Sequence, residues 1–220
     1  MHNLAKTLPK TLRRLLLGTV SCLLLSGLVS PIAGKAMATI PLHSTAVPAA
    51  QVVEADRFLG QALTASLQAA QATLLAQGSS SGIRSYVAVM SEENVVPNSP
   101  DTRARGAAGA ALSSDNRLVI RGRFRDLSSQ MRDYATDPVN PPNTNITSAF
   151  HIHQGDPTEN GPFQYALDVT VDDTGRDGSA AGEYQLTPEQ VQALADGRLY
   201  VDIHTTQNRG GELRAILMPY

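Results

Sequence analysis

The sequence is poor in the residues that form several common kinds of functional site. Its 220 residues include one cysteine and no tryptophan, and only 5% are aromatic. A single cysteine excludes a disulfide framework and a cysteine-based zinc module. Charged residues make up 17% and give a net charge of −2, which argues against a general nucleic-acid binder. The hydrophobic fraction of 42% is sufficient for a packed core, and the length predicts one domain or two small ones.

The first 38 residues have the order of an export signal. Four basic residues precede an apolar run from Leu15 to Val29, and Ala36-Met37-Ala38 provides the small residues of a cleavage site. We predict cleavage after Ala38 and an exported protein, either periplasmic or secreted. In the alternative, residues 15–33 remain uncleaved as a membrane anchor, although the apolar run is shorter than the ~20 residues that a membrane span needs.

Removal of residues 1–38 changes the charge of the chain. This segment contains the cysteine, all the lysines and five of the 18 basic residues, but none of the acids. The remaining chain has 13 arginines against 20 acids and a net charge of −7. Such a chain has no electrostatic reason to bind nucleic acid or anionic lipid. We expect a protein or cell-envelope partner and no membrane span after cleavage.

Residues 39–82 are predicted to form a helical arm and a linker. Residues 49–77 lack proline and are rich in alanine, glutamine and leucine, which favour a helix. Apolar residues recur every three or four positions and form one stripe. The stripe consists of Val52, Leu59, Leu63, Leu67, Ala70 and Leu74. It is expected to pack on the following domain or on a second copy, which would give a homo-oligomer. A flexible linker follows from Gly78 to Gly82.

Residues 83–220 alternate between apolar and polar side chains, which is typical of strands with one buried face. The predicted strands are 83–91, 103–113, 117–125, 148–154, 163–171, 180–186, 198–205 and 212–218. Thr187 and Pro188 have the residue types of a helix start, and Gly197 closes this short helix. About eight strands and one brief helix predict an all-β fold, an antiparallel sandwich or barrel preceded by the N-terminal α-helix.

Three histidines are the chemical signal of this β domain. In Phe150-His151-Ile152-His153 the two imidazoles share one face, ~6.5–7 Å apart along the strand. Asp202 and His204 share the corresponding face of strand 198–205. Three imidazoles can bind one metal ion if the two strands are neighbours. The other interpretation is a hydrogen-bonded polar cluster that orders the surrounding loops.

Several short motifs in a fixed order resemble the CHRD domain, a module repeated in chordin and found singly in bacterial exported proteins. The matching segments are Val96-Pro97, Ala108-Gly109-Ala110, 149–155, Gly161-Pro162, Gly182, Leu186-Thr187, 194–205 and 210–214. The resemblance covers residues 86–219 and implies an immunoglobulin-like β sandwich without an established enzymatic activity. The insert from Met131 to Asn145 is longer than the usual loop of the family. The leading hypothesis is an exported, non-catalytic binding or structural module.

A second resemblance is to copper/zinc superoxide dismutase. Residues 150–156 are similar to its copper-binding strand, and Gly197-Arg198 leading to His204 is similar to a later ligand strand. Arg214 is similar to its anion-guiding arginine. The histidines of the second metal and the cysteine pair are absent. The resemblance implies at most one copper or zinc ion.

The residues that the resemblance assigns to this ion are His151, His153 and His204, completed by Asp156, Glu159, Asp202 or water. Asp156, Asp202 and Arg214 are the candidates for groups that support the ligands or guide an anion. The alternative function is therefore a mononuclear copper or zinc protein, either a carrier or a dismutase-like enzyme.

Overall fold

The computed structural model describes residues 49–79 and 82–220, with side chains from residue 54 onward. The predicted export signal, the alternative anchor and the segment 39–48 lie outside the described residues. The described residues belong to one compact unit. Within them, no helix combines the length and the apolar character needed to cross a membrane.

In the part of the chain that the structure describes, ten strands form two antiparallel sheets, which confirms the predicted all-β sandwich with a helix before it. The helices are α1 (Ala49–Ala76), α2 (Pro188–Ala195) and a short 3-10 turn (Glu92–Asn94). The strands are β1 (Arg84–Met90), β2 (Arg105–Leu112), β3 (Arg117–Arg125), β4 (Phe150–Gln154), β5 (Phe163–Ala166), β6 (Asp168–Val171), β7 (Gly178–Gln185), β8 (Leu199–Ile203), β9 (Leu213–Ile216) and β10 (Met218–Pro219). The order is β10-β1-β2-β3-β7-β6 in one sheet and β5-β4-β8-β9 in the other.

The alternating apolar residues of both sheets meet in the core between them. Phe124 of β3 and Phe150 of β4 contact edge to face, with ring centroids 6.3 Å apart. Ile152 and Val201 lie beside them and are fully buried. The residues between these positions therefore face away from the core, as the alternation predicts, and His151, His153 and Asp202 are among them.

Two of the predicted strands are each divided in the structure, which corrects the predicted spans 163–171 and 212–218. The first breaks at Leu167 into β5 and β6, and the second breaks at Leu217 into β9 and β10. In each case the chain leaves an edge of the four-stranded sheet and joins an edge of the six-stranded sheet. Both leucines are fully buried. The alternation predicted one strand because the apolar side of both pieces faces the same core.

Helix α1 lies on the outer face of the six-stranded sheet, against β2 and β3. Leu67, Ala70 and Leu74 of the predicted stripe are buried there. Gly109 of β2 permits the close approach, because a Cβ at this position would lie 2.3 Å from the backbone nitrogen of Leu67. The described part of the stripe thus packs on the sheet of its own chain, and the side chain of Val52 lies outside the described residues. A homo-oligomer through residues 49–77 stays a prediction.

Helix α2 begins and ends as the sequence predicts, and it leads the chain into β8. The Thr187 hydroxyl accepts a hydrogen bond from the backbone of Gln190, whose side chain in turn accepts one from the backbone of Thr187. This capping box satisfies two amides at the start of the helix. Gly197 follows the helix with a φ of 67°, a conformation that glycine adopts without strain. The helix thus fixes where β8 starts.

Candidate metal centre

The two histidine-bearing segments are neighbours in the four-stranded sheet. β4 and β8 are antiparallel, with His151 opposite Asp202 and His153 opposite Tyr200. His204 follows the end of β8. The side chains of His151, His153, Asp202 and His204 converge on the outer face, where one ligand atom from each lies within 4.8 Å of the others. The condition that the sequence left open, adjacency of the two strands, is therefore met.

The distances around Asp202 match the spacing of ligands around a small cation. Its Oδ1 atom lies 3.2 Å from Nε2 of His153, 3.2 Å from Nε2 of His204 and 3.7 Å from Nδ1 of His151. Tetrahedral ligands with bonds of ~2.0–2.1 Å lie roughly 3.3–3.4 Å apart. The distances to Oδ1 are thus compatible with four ligands around one ion, and the other pairs of ligand atoms lie within 4.8 Å.

Backbone carbonyls set the orientation of all three imidazoles. The contacts are His151 Nε2 to Ser148 O at 2.6 Å, His153 Nδ1 to Gly161 O at 3.0 Å, and His204 Nδ1 to Arg209 O at 2.9 Å. A carbonyl oxygen only accepts hydrogen bonds, so the nitrogen beside it carries the hydrogen. The other nitrogen of each ring then faces Asp202, and for His204 this contact is a hydrogen bond of 3.2 Å to Oδ1. Histidines that bind metals are commonly oriented in this way.

Burial and the Asp202 carboxylate together determine the protonation of the histidines. His151 and Asp202 are each 1% exposed. Burial lowers the pKa of His151 to about 4, so this ring is neutral at pH 7. Burial also opposes a charge on His204, but Asp202 outweighs it and raises the pKa of His204. One proton can therefore lie between His204 and Asp202, while Nε2 of His153 is buried and has no hydrogen-bond partner.

The insert 131–145 covers the cluster from outside. The Tyr134 ring lies 5.3 Å from the His151 ring and 6.4 Å from the His204 ring, measured between centroids. Arg132 packs over Tyr134 at 4.5 Å, and its Nε donates a hydrogen bond to Asp137 at 2.9 Å. Burial raises the pKa of Tyr134 to about 12. Tyr134 of this loop thus packs over His151 and His204 and shields this part of the sheet from solvent.

Arg214 of β9 lies behind Asp202. Its Nη2 atom is 3.4 Å from Oδ2 of Asp202, the oxygen that faces away from the histidines, and the residue is 3% exposed. The guanidinium also donates to the Glu159 carbonyl and to the Asn160 side chain, at 3.2 and 2.6 Å. The Tyr200 ring lies against Arg214 at 4.4 Å, and it also stacks with the His153 ring at 5.2 Å.

Other sequence candidates lie outside the cluster. Asp156 is exposed, and its carboxylate accepts hydrogen bonds from Thr158. Glu159 contributes its backbone oxygen to Arg214, while its carboxylate accepts a hydrogen bond from the Asp156 backbone. No sequence pattern marks Tyr134 itself, although the unusual length of the insert that carries it is a signal. The three orienting carbonyls leave no signal in the sequence.

The fold and the cluster define an antiparallel β sandwich with a buried histidine–aspartate centre on one outer face. Residues 86–217, more than half of the chain, match the family model of the CHRD domain. The protein belongs to the CHRD family. No curated protein and no solved structure matched the chain, so the resemblance to superoxide dismutase is not shown.

Proposed function

We propose that this protein is an exported, non-catalytic binding or structural module whose His151, His153, Asp202 and His204 side chains bind one zinc or copper(II) ion. The observation that carries the proposal is the orientation of the three imidazoles. Each donates one N–H to a backbone carbonyl and directs the other nitrogen at Asp202. Imidazole nitrogens with a carboxylate oxygen suit both ions.

The closure of the site favours a structural role over catalysis. Structural metal sites are filled by four protein ligands, whereas catalytic sites keep a position for water or substrate. Here Asp202 supplies a fourth ligand atom, and Tyr134 packs over His151 and His204. The ion would hold the turn after β8 and the insert 131–145 against the sheet. A carrier or dismutase-like enzyme would need an open ligand position beside these groups.

Elemental analysis of the purified protein tests the metal site. The protein is stripped with a chelator, reloaded with zinc or copper(II) and freed of excess metal. We expect about one equivalent bound, because the four ligand atoms surround a single position. The double variant H151A/H153A should lose it. Asp156→Asn is the matched control, since this exposed acid lies outside the cluster, and it should retain the metal.

A second measurement keeps the test decisive if the double variant does not fold. The unaltered protein is titrated with cobalt(II), whose tetrahedral complexes absorb visible light intensely. A saturable signal at one equivalent, displaced by zinc, would support the site. Metal that remains in H151A/H153A, or a cobalt spectrum of an octahedral hydrated ion, would overturn it.

The export part of the proposal is supported by the order of charge, apolar run and small residues in 1–38. The mass of the protein recovered from its own host provides the test. A chain that begins at Thr39 in the extracytoplasmic fraction is expected. Recovery of the full-length chain in membranes would instead favour the uncleaved anchor of residues 15–33.

A further inference from the structure

A cleft of about 380 Å³ opens where β1, β9 and β10 meet, on the far side of Arg214 from the histidines. Its walls are largely apolar and include Val87 and Val89 of β1, Ile216 of β9 and Met218 of β10. Tyr200 and Arg214 also line it. A volume of this order suits a small ligand rather than a second protein domain.

The apolar walls of the cleft are left uncovered by the rest of the described chain. Helix α1 packs mainly on β2 and β3, so the outer side of β1 remains open. Val89 is 49% exposed and Met218 is 51% exposed. Scattered apolar side chains on a surface need no explanation, but neighbouring ones that line one concave site indicate a binding surface.

The cleft also contains one buried cation. Arg214 is 3% exposed, and its two terminal nitrogens contact Asp202, Asn160 and the Glu159 carbonyl. Its Nε atom is buried and has no hydrogen-bond partner. Because both terminal nitrogens are engaged, Nε is the donor left for a ligand, and a charge-assisted bond from a guanidinium to a carboxylate is stronger in an apolar surrounding. The available donor therefore favours a negatively charged acceptor.

We propose that this cleft binds a small amphiphilic monocarboxylate, with its apolar chain against Val87, Val89 and Met218 and its carboxylate directed at Arg214. The ligand would add the missing acceptor for Arg214 and cover the exposed apolar walls. This inference goes beyond the metal site and does not depend on it. Binding is therefore measured first in the metal-free protein.

Isothermal titration of the purified protein with octanoate tests the proposal. Octanamide has the same apolar chain without the charge, and acetate has the charge without the chain. We expect saturable binding of octanoate, and at least about tenfold weaker binding of both comparison compounds, because each lacks one of the two interactions.

Two variants locate the binding. Val89→Asp places a negative charge in the apolar wall at an exposed position, and it should weaken octanoate binding by at least about tenfold. Val171→Asp is the matched control, because Val171 is 44% exposed on β6 at the other edge of the sheet. It should bind octanoate like the unaltered protein. Circular dichroism confirms that both variants are folded.

Three results would overturn the proposal. Octanoate could fail to bind, octanamide could bind as tightly as octanoate, or both aspartate variants could weaken binding equally. Failure of the metal proposal affects none of these measurements, since they are made without metal. A repeat with zinc-loaded protein then shows whether the ion changes the affinity for octanoate through Arg214, which contacts Asp202.

Discussion

The two sheets of this sandwich have outer faces that are covered in opposite ways. The six-stranded sheet is covered by helix α1, with Leu67 and Leu74 packed on small residues such as Gly109. The four-stranded sheet is covered around Asp202 by the loop that carries Tyr134, and ionisable groups lie beneath this loop. One face is closed mainly by apolar contacts, with hydrogen bonds such as that from Gln71 to Ser85 at its margin, while the other encloses charges and lone pairs.

This difference determines which face has a stability that depends on pH and on dissolved metal ions. Apolar burial by a helix stabilises the protein without any ligand and with little dependence on pH. A buried cluster of imidazoles and a carboxylate depends on protons or a cation to occupy the space between its nitrogens and oxygens. The helix-covered face should therefore respond mainly to changes in shape, and the loop-covered face mainly to changes in charge.

Removal of the central carboxylate should have the largest effect. Asp202→Ala leaves the buried Arg214 guanidinium without its ion-pair partner, so we expect a loss of about 3–5 kcal/mol in the free energy of unfolding. Urea denaturation with and without a chelator measures it. Asp202→Asn preserves the shape and provides the control for charge. A loss below about 1 kcal/mol in the alanine variant would contradict a charge-dependent face.

A change of shape tests the other face. Gly109→Val introduces a side chain into the backbone of α1, and we expect a loss of about 3 kcal/mol that a chelator does not alter. Gly60 of α1 is the control, since a Cβ there meets no atom within 4 Å. Gly60→Ala should stabilise the protein by about 1 kcal/mol through its higher helix propensity. Equal effects of the two substitutions would argue against close packing of α1 on β2.

A smaller effect is expected at Glu212, which lies beside the loop-covered face and is fully buried. Its carboxylate accepts hydrogen bonds from Thr102, Ser128 and Thr205. Burial opposes its charge, but the hydroxyl donors lower its pKa below the ordinary value of 4.5. Its contribution to stability is therefore present above pH 4.5 and is lost as the pH falls through the lowered pKa.

Glu212→Gln should reduce the free energy of unfolding by about 1–2 kcal/mol at pH 7. It should also flatten the decrease in stability below pH 4.5, since the titrating group is gone. Thermal unfolding across the acid range measures both effects. An unchanged acid profile in the variant would show that Glu212 does not contribute to it.

Local patterns predicted much of the fold and the core of the site. The alternation in residues 150–153 placed His151 and His153 on one face, and the Thr187-Pro188 start of α2 is confirmed. Local patterns did not reveal the exchange of sheets at Leu167, because alternation records which side is buried and not which strand is the partner. They also did not reveal the contact of Tyr134 with the histidines, which depends on how a long loop folds back.

The crossings at Leu167 and Leu217 have a further consequence for how the sandwich resists shear. The segments β5–β6 and β9–β10 connect the two sheets along opposite sides, so the chain itself joins their edges. Sliding of one sheet over the other by a single residue would displace both buried leucines at once. Within the described residues, the two sheets share no hydrogen bonds in their ladders, but the chain connects them covalently at both pairs of edges. The core is thus enclosed much as in a closed barrel.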